Sequence, residues 1–246
     1  MTSPNFEKSF WETILEFKHI FAIFFAIIIG LVILFNFVSF GYKSNYAFES
    51  DWVRDYNVRI GKENAEVKLI YFYDLQCPAC KSNDPDLKKI VEKYSDKIEI
   101  VYRNMPLDAL HPFAIPAAQG AQAVAKQNKS LYFEFKDQIF ANQENLNIST
   151  IESTAKRLSG LDYDMWLKDY QSNNIKEEVQ FDAKDIKEAT LPASTITKDN
   201  DSKGLTKSSG TPTNLLVKNG KVLDWWSGGL SAERQGENID RALLPQ

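Results

Sequence analysis

The sequence predicts an α/β protein: a sheet carrying a long helical insertion, preceded by one transmembrane helix. Three observations carry this reading. Residues 67–73, VKLIYFY, form a nearly continuous run of aliphatic, β-branched and aromatic residues that gives way to apolar residues at helical spacing. Near the C-terminus two strand-like runs flank Asn219-Gly220, the strongest short-range hairpin signal. Residues 20–40, IFAIFFAIIIGLVILFNFVSF, hold no charge in 21 positions.

The uncharged stretch comes first in the chain. As a helix it reaches about 31 Å, enough for a hydrocarbon core of about 30 Å. Ser39-Phe40-Gly41 offers a small-x-small cleavage site. However, a signal peptide's apolar core is shorter and follows a short basic segment, whereas this one follows 19 residues with only Lys8 and Lys18 as basic groups. The stretch therefore reads as an uncleaved anchor. Phe6, Phe10, Trp11, Ile14, Leu15 and Phe17 ahead of it have helical spacing and read as the first exposed part of that helix, the alternative being an interfacial amphipathic turn. Lys8 and Lys18 on one side face Lys43, Arg54 and Arg59 on the other, so the positive-inside rule does not orient the span.

Residues 41–60 read as a linker, and the folded domain spans 61–246. After the strand at 67–73, Leu87, Ile90, Val91 and Tyr94 mark one face of a helix starting around Cys77. Pro85 lies inside it and removes a backbone hydrogen bond, so a kink or brief break is predicted there. KIEIVYR, 97–103, is a second strand. Helices follow over Ala117–Gln127, Leu131–Ala141, Thr150–Ser159 and Tyr163–Tyr170, with a longer one through Ile175, Val179, Ala183, Ile186 and Ala189, giving a helical insertion of about 112–189. Residues 190–209 are polar and aperiodic and read as a long loop, an insertion or a gate beside Pro212. TNLLVK and KVLDWW form the hairpin, and a last helix covers about 232–243. Trp225 and Trp226 read as sheet-packing residues.

The 43% apolar and 25% charged composition describes a globular chain with a sizeable core. A formal net charge of −4 without a basic stripe excludes a nucleic-acid footprint.

Both cysteines of the chain lie in Cys77-Pro78-Ala79-Cys80. A structural zinc needs about four N or S ligands, and only His19 and His111 are available to join them; no metal is expected. A structural disulfide closing so short a loop restrains the unfolded chain little. Two inert thiols need no such placement. Redox chemistry fits the position: Cys77 stands where a buried strand meets a helix N-terminus, whose unpaired N–H groups and dipole favour a thiolate. Pro78 suits the first helical turn, and Cys80, one turn on, is placed to resolve a mixed disulfide at Cys77.

VKLIYFYDLQCPACK, then RNMPLDALHPFAIPAAQGAQAVAKQNKSLYFEFKDQIFANQ, then SGTPTNLLVKNGK, resemble in order and spacing the DsbA-like thiol:disulfide oxidoreductases of thioredoxin fold, over about residues 61–246. The resemblance implies a cis proline at Pro212 facing the cysteines. Thr211, Pro78 and Ala79 would then contact an extended substrate peptide. A turn before a strand accounts for Pro212 on sequence grounds alone. Asp74 and His111 match the family too and are possible supporting residues, although Asp74 also simply ends the strand and helix initiation accounts for Pro112. Two departures stand out. Tyr71 occupies the place, six residues before Cys77, where many relatives keep a buried carboxylate, so the proton of Cys80 must travel through water, Asp74 or another group. Ala79 replaces the histidine of strongly oxidising CPHC sites, which leaves the direction of electron flow open.

The resemblance implies a thiol:disulfide oxidoreductase that uses no bound cofactor beyond its Cys77–Cys80 pair and forms disulfides in unfolded or exported proteins. A membrane redox partner, quinone-linked, would recycle it. Such work belongs to an oxidising compartment, which places the N-terminus in the cytoplasm and residues 41–246 outside. The alternatives are an outward-facing reductase or isomerase, and a redox-inactive peptide-binding module, against which the intact CPAC argues.

Overall fold

The structure, a computed structural model, describes residues 23–25, 27–30, 32, 52–191, 194, 208 and 210–245. The chain divides into two compact units, 1–46 and 47–246. In the first, residues 23–25, 27–30 and 32 are helical and exposed. Among the described residues no helix is long and apolar enough to cross a membrane; the remainder of the expected span at 20–40, all of 1–19 and most of the loop at 190–209 lie outside the described residues.

The second unit is built on a five-stranded sheet in the order β1-β3-β2-β4-β5, with β1 Val58–Gly61, β2 Val67–Tyr73, β3 Glu99–Asn104, β4 Thr213–Lys218 and β5 Lys221–Ser227. β2 and β3 run parallel, joined through helix α1, Pro78–Tyr94, and the other pairs are antiparallel. β2 is central and all seven of its residues are buried. Leu69, Tyr71 and Tyr73 enter one core cluster, while Ile70 and Phe72 enter the other, which is why the run reads as continuously apolar rather than alternating. Asn219 and Gly220 have φ of 49° and 79°, the left-handed pair that a tight hairpin turn requires.

β1 corrects the linker expected over 41–60: the folded unit already includes Trp52, buried against Phe72, and pairs Val58–Gly61 with β3. A four-residue edge strand has too little apolar content to stand out from a polar approach segment. At Pro85, where a kink or brief break is expected, helix α1 continues without the break.

The insertion comprises α2 Ala114–Gln127, α3 Lys129–Ala141, α4 Ile148–Arg157, α5 Tyr163–Tyr170 and α6 Asn173–Glu188. Asn128, Asn147, Asp162 and Ser172 each accept a first-turn backbone N–H, at α3, α4, α5 and α6 respectively, satisfying donors the helix itself leaves orphaned. On α2, Gly120 gives the close approach its neighbours need. A Cβ there would stand 3.0 Å from Ile151 Cγ2 and 3.1 Å from Phe135 Cζ, while the Gly120 carbonyl accepts the Trp166 indole N–H at 3.0 Å.

The last helix, α7, Ala232–Leu243, packs with α1, its Ile239 and Ala242 in the same core cluster as Tyr71 and Leu216. On the other sheet face α6 is fastened by charge. Arg103 and Asp182, both fully buried, pair at 2.7 Å, and Asp182 also accepts from the Asn104 backbone N–H at 2.9 Å and from Asn57 Nδ2 at 3.2 Å. Trp225 and Trp226 are buried, one in each core cluster.

Candidate active site: a buried dithiol at a helix N-terminus

The end of β2 delivers the chain into a tight turn in which the Cys77 N–H donates to the Asp74 carbonyl at 3.1 Å. Cys77 is the N-cap of α1, with extended φ and ψ of −76° and 120°, and Pro78 occupies the first turn. A proline there forfeits nothing, because that N–H has no helical partner. Lys81 N–H donates to the Cys77 carbonyl at 3.2 Å. Pro78 and Ala79 are exposed on this turn, whereas Cys77 and Cys80 are buried free thiols.

The Thr211–Pro212 bond is cis, and the Cys77 thiol donates to the Thr211 carbonyl at 3.4 Å. The two expected halves of the site, 134 residues apart in sequence, thus meet at the nucleophile.

The two sulfurs are electrostatically unlike. The Cys80 thiol beside it brings the Cys77 pKa down from about 9 to about 5; the Thr211 side chain and the backbone N–H groups of Cys80 and Ala79 act in the same sense, and burial opposes them. Cys80 is shifted the other way, well above the ordinary thiol range, first by burial and then by the neighbouring Cys77. One sulfur is an anion near neutrality and the other holds its proton.

Asp74 organises the turn. Its Oδ1 accepts from the Gln76 N–H at 2.7 Å and its Oδ2 from the Leu107 N–H at 2.9 Å, with His111 Nδ1 at 2.7 Å from Oδ2. Its own backbone N–H donates to Cys80 Sγ at 3.4 Å. Asp74 and His111 are therefore brought together beside the cysteines, His111 reaching them through Asp74. Two residues that sequence reasoning missed complete the frame. Gln143 donates to the carbonyls of Leu75 and Cys77 at 2.9 and 3.0 Å, and Gln76 Oε1 accepts the Phe113 N–H at 2.7 Å. Nothing local marks Gln143, since its partners lie 66 and 68 positions away. Among the described residues no group of three or more His, Cys, Asp or Glu is arranged to hold a metal ion.

A thioredoxin-like sheet with a reduced CxxC pair at a helix N-terminus and a cis proline opposite defines the thioredoxin-fold class of dithiol proteins. The chain belongs to the thioredoxin family, whose model matches residues 54–225. It is 31% identical over 136 residues to the probable disulfide bond formation protein D of Bacillus cereus, a match covering 50% of this chain and 61% of that relative. The chain thus spans about three-fifths of that relative's length. In structure it is similar to Wolbachia pipientis alpha-DsbA1, with a TM-score of 0.60 and 20% identity over 77% of this chain and 92% of that one. It is also similar to the thiol-disulfide exchange protein alpha-DsbA2 of the same organism, with a TM-score of 0.59 and 19% identity over 78% and 90%. The resemblance to DsbA-like proteins drawn from the CPAC and Thr-Pro segments is borne out, including the thioredoxin fold.

Proposed function

We propose that this protein is an extracytoplasmic thiol:disulfide oxidoreductase that forms disulfides in exported proteins, tethered by residues 20–40 with its N-terminus in the cytoplasm. The observation that carries the reading is the opposite displacement of the two thiols, Cys77 to about 5 and Cys80 upward. A reduced form stabilised by an ionised Cys77 makes the disulfide form the better oxidant.

In the forward reaction a substrate thiolate attacks the Cys77 sulfur of the Cys77–Cys80 disulfide. That bond breaks, and Cys80 leaves with the electron pair and takes up a proton. The substrate's second thiolate then attacks its own sulfur in the mixed disulfide and expels Cys77 as a stabilised thiolate. The substrate loses two electrons, and the pair gains them. Pro78 and Ala79, exposed on the turn, together with Thr211, whose carbonyl meets Cys77, form the surface for the substrate peptide in this reading. A membrane redox protein accepts the two electrons and restores the disulfide, so the cysteine pair serves as the only electron carrier within this chain.

The test is the equilibrium of the full-length protein with glutathione, together with oxidation of a reduced, unfolded protein in stoichiometric amounts. A potential well above that of thioredoxin, near −270 mV, and rapid oxidation of the substrate support the oxidase. A potential at the thioredoxin value makes it a reductase. Failure to exchange with glutathione at all leaves a peptide-binding module.

A further inference from the structure

Beneath the first turns of α1 lies a group of buried polar atoms that no protein group satisfies. Tyr71 Oη, Asn83 Nδ2, both amide atoms of Asn214, Trp226 Nε1 and Gln235 Oε1 are all buried without a hydrogen bond of good geometry, Tyr71 and Asn83 being close enough to act on each other. Orphaned buried groups are uncommon, and several in one place call for an explanation. Tyr71, Asn214 and Trp226 are direct cross-strand partners on β2, β4 and β5 and so share one sheet face. Asn83 is three residues beyond Cys80 on α1, on the same helix face. Gln235 on α7 donates to Asn83 Oδ1 at 3.4 Å. The group thus runs from α7 and the far strands to the floor beneath Cys80, whose core cluster also includes Tyr71.

The reaction asks for something here. When a substrate thiolate breaks the disulfide, negative charge appears on Cys80, the fully buried sulfur, and the Asp74 carboxylate is already occupied by Gln76, Leu107 and His111. Resting on the oxidoreductase reading, we infer that the Tyr71 hydroxyl donates a hydrogen bond to the Cys80 thiolate as it forms, and that water held by Asn83, Asn214 and Gln235 brings the neutralising proton. A phenol suits this as a donor. Burial, and after it the Cys80 sulfur, raises the Tyr71 pKa well above its ordinary value, with Asn83 opposing weakly, so it keeps its own proton. The titratable groups around it are Cys77 and Asp84 on α1, Tyr73 on β2, Tyr102 on β3, and Tyr132 and Lys136 on α3, where Lys136 is paired with Asp84. Farther along α1, Tyr94 donates to Asp240 of α7 at 3.0 Å.

The test is Tyr71→Phe in the full-length protein, read in the step where Cys80 attacks a glutathione mixed disulfide on Cys77. Expected is a resolving rate lower by about 10- to 100-fold, the worth of one hydrogen bond to a charged group, with its pH midpoint moved upward. The Cys77 alkylation midpoint and the reduction potential at neutral pH stay unchanged, because the hydrogen bond serves both directions of the step. Removing a hydroxyl that makes no hydrogen bond of good geometry does not endanger the fold; Asn83→Ala, which keeps the aromatic core, is the second variant and slows the same step several-fold. A resolving rate within twofold of the parent in both variants, with the same pH midpoint, overturns the inference while leaving exchange at Cys77 intact. Absence of exchange in the parent protein overturns the oxidoreductase reading instead.

Discussion

Gln143 places one side-chain nitrogen between two carbonyls of the active-site turn, donating to Leu75 at 2.9 Å and to Cys77 at 3.0 Å. Gln143 follows α3 in a short 3₁₀ turn, so the helical insertion holds the redox turn directly. The Cys77 carbonyl also accepts from Cys80 and Lys81, and the glutamine fixes its direction from outside the helix.

Gln143→Ala removes the donor and leaves both carbonyls short of a partner in a buried place. The expected loss of stability is about 2 to 3 kcal/mol, since each unmet buried group costs about 1 to 3 kcal/mol and the Cys77 carbonyl keeps its helical donors. Urea denaturation of the reduced protein reads this. A loss below about 0.5 kcal/mol shows that the insertion does not support the turn.

The Cys77 thiol, brought to about 5, sets a pH profile. Alkylation of the reduced protein at Cys77 should rise with pH to a half-maximum near 5 and be level by neutrality, whereas an ordinary thiol is still climbing through pH 8. Stability follows with a definite sign. A depressed folded-state pKa contributes nothing below about 5 and a growing amount from there to the ordinary thiol value of about 9. Cys80, shifted upward, works against the reduced fold only above that value. The reduced form should therefore gain stability over the disulfide form between pH 5 and 9, as measured by paired denaturant titrations. A flat difference across this window excludes the asymmetry of the two sulfurs.

The Arg103–Asp182 pair makes a prediction about the fold alone. Asp182→Ala strands a fully buried guanidinium that retains Asp185 at 2.6 Å and deprives the Asn104 N–H and Asn57 of their acceptor. Breaking one partner of a buried pair costs about 3 to 5 kcal/mol. Asp185 offsets some of this, so about 3 kcal/mol is expected in thermal or urea unfolding. A loss under about 1 kcal/mol means that α6 is held by its apolar face instead.

Much of this architecture was legible from residue types. Val67–Tyr73 is buried on both faces and Asn219-Gly220 demands left-handed φ, so both announce themselves locally, and the insertion helices carry apolar periodicity, whereas the Asn and Ser caps that start α3, α4 and α6 lie ahead of where that periodicity begins. The CPAC turn was legible because a nucleophile, a proline and a helix start coincide in four residues. What stayed hidden depends on pairings between distant positions. β1 is strand-like only because β3 lies beside it, Arg103 and Asp182 are core residues only in each other's presence, and Gln143 looks like any surface glutamine until the turn at Leu75 is brought against it. The continuity of α1 through Pro85 was hidden for a related reason: packing of Leu87, Ile90 and Tyr94 in the core carries the helix past the one hydrogen bond that the proline removes.

His111 and Asp74 provide a final test, of what kind of support the site uses. His111 Nδ1 lies 2.7 Å from a carboxylate oxygen that also accepts from the Leu107 N–H, and only the main chain of Asp74 touches sulfur. The pair thus acts on the turn rather than on the thiol. Asp74→Ala leaves the Gln76 and Leu107 N–H groups and His111 without their acceptor, and should cost about 2 to 4 kcal/mol. His111→Ala should cost about 1 kcal/mol, one hydrogen bond. In both variants the backbone contact to Cys80 persists, so the Cys77 alkylation midpoint should stay near its parent value. If His111→Ala instead keeps full stability while exchange with glutathione falls tenfold, the imidazole acts on the reacting sulfurs themselves and its place in the mechanism is chemical.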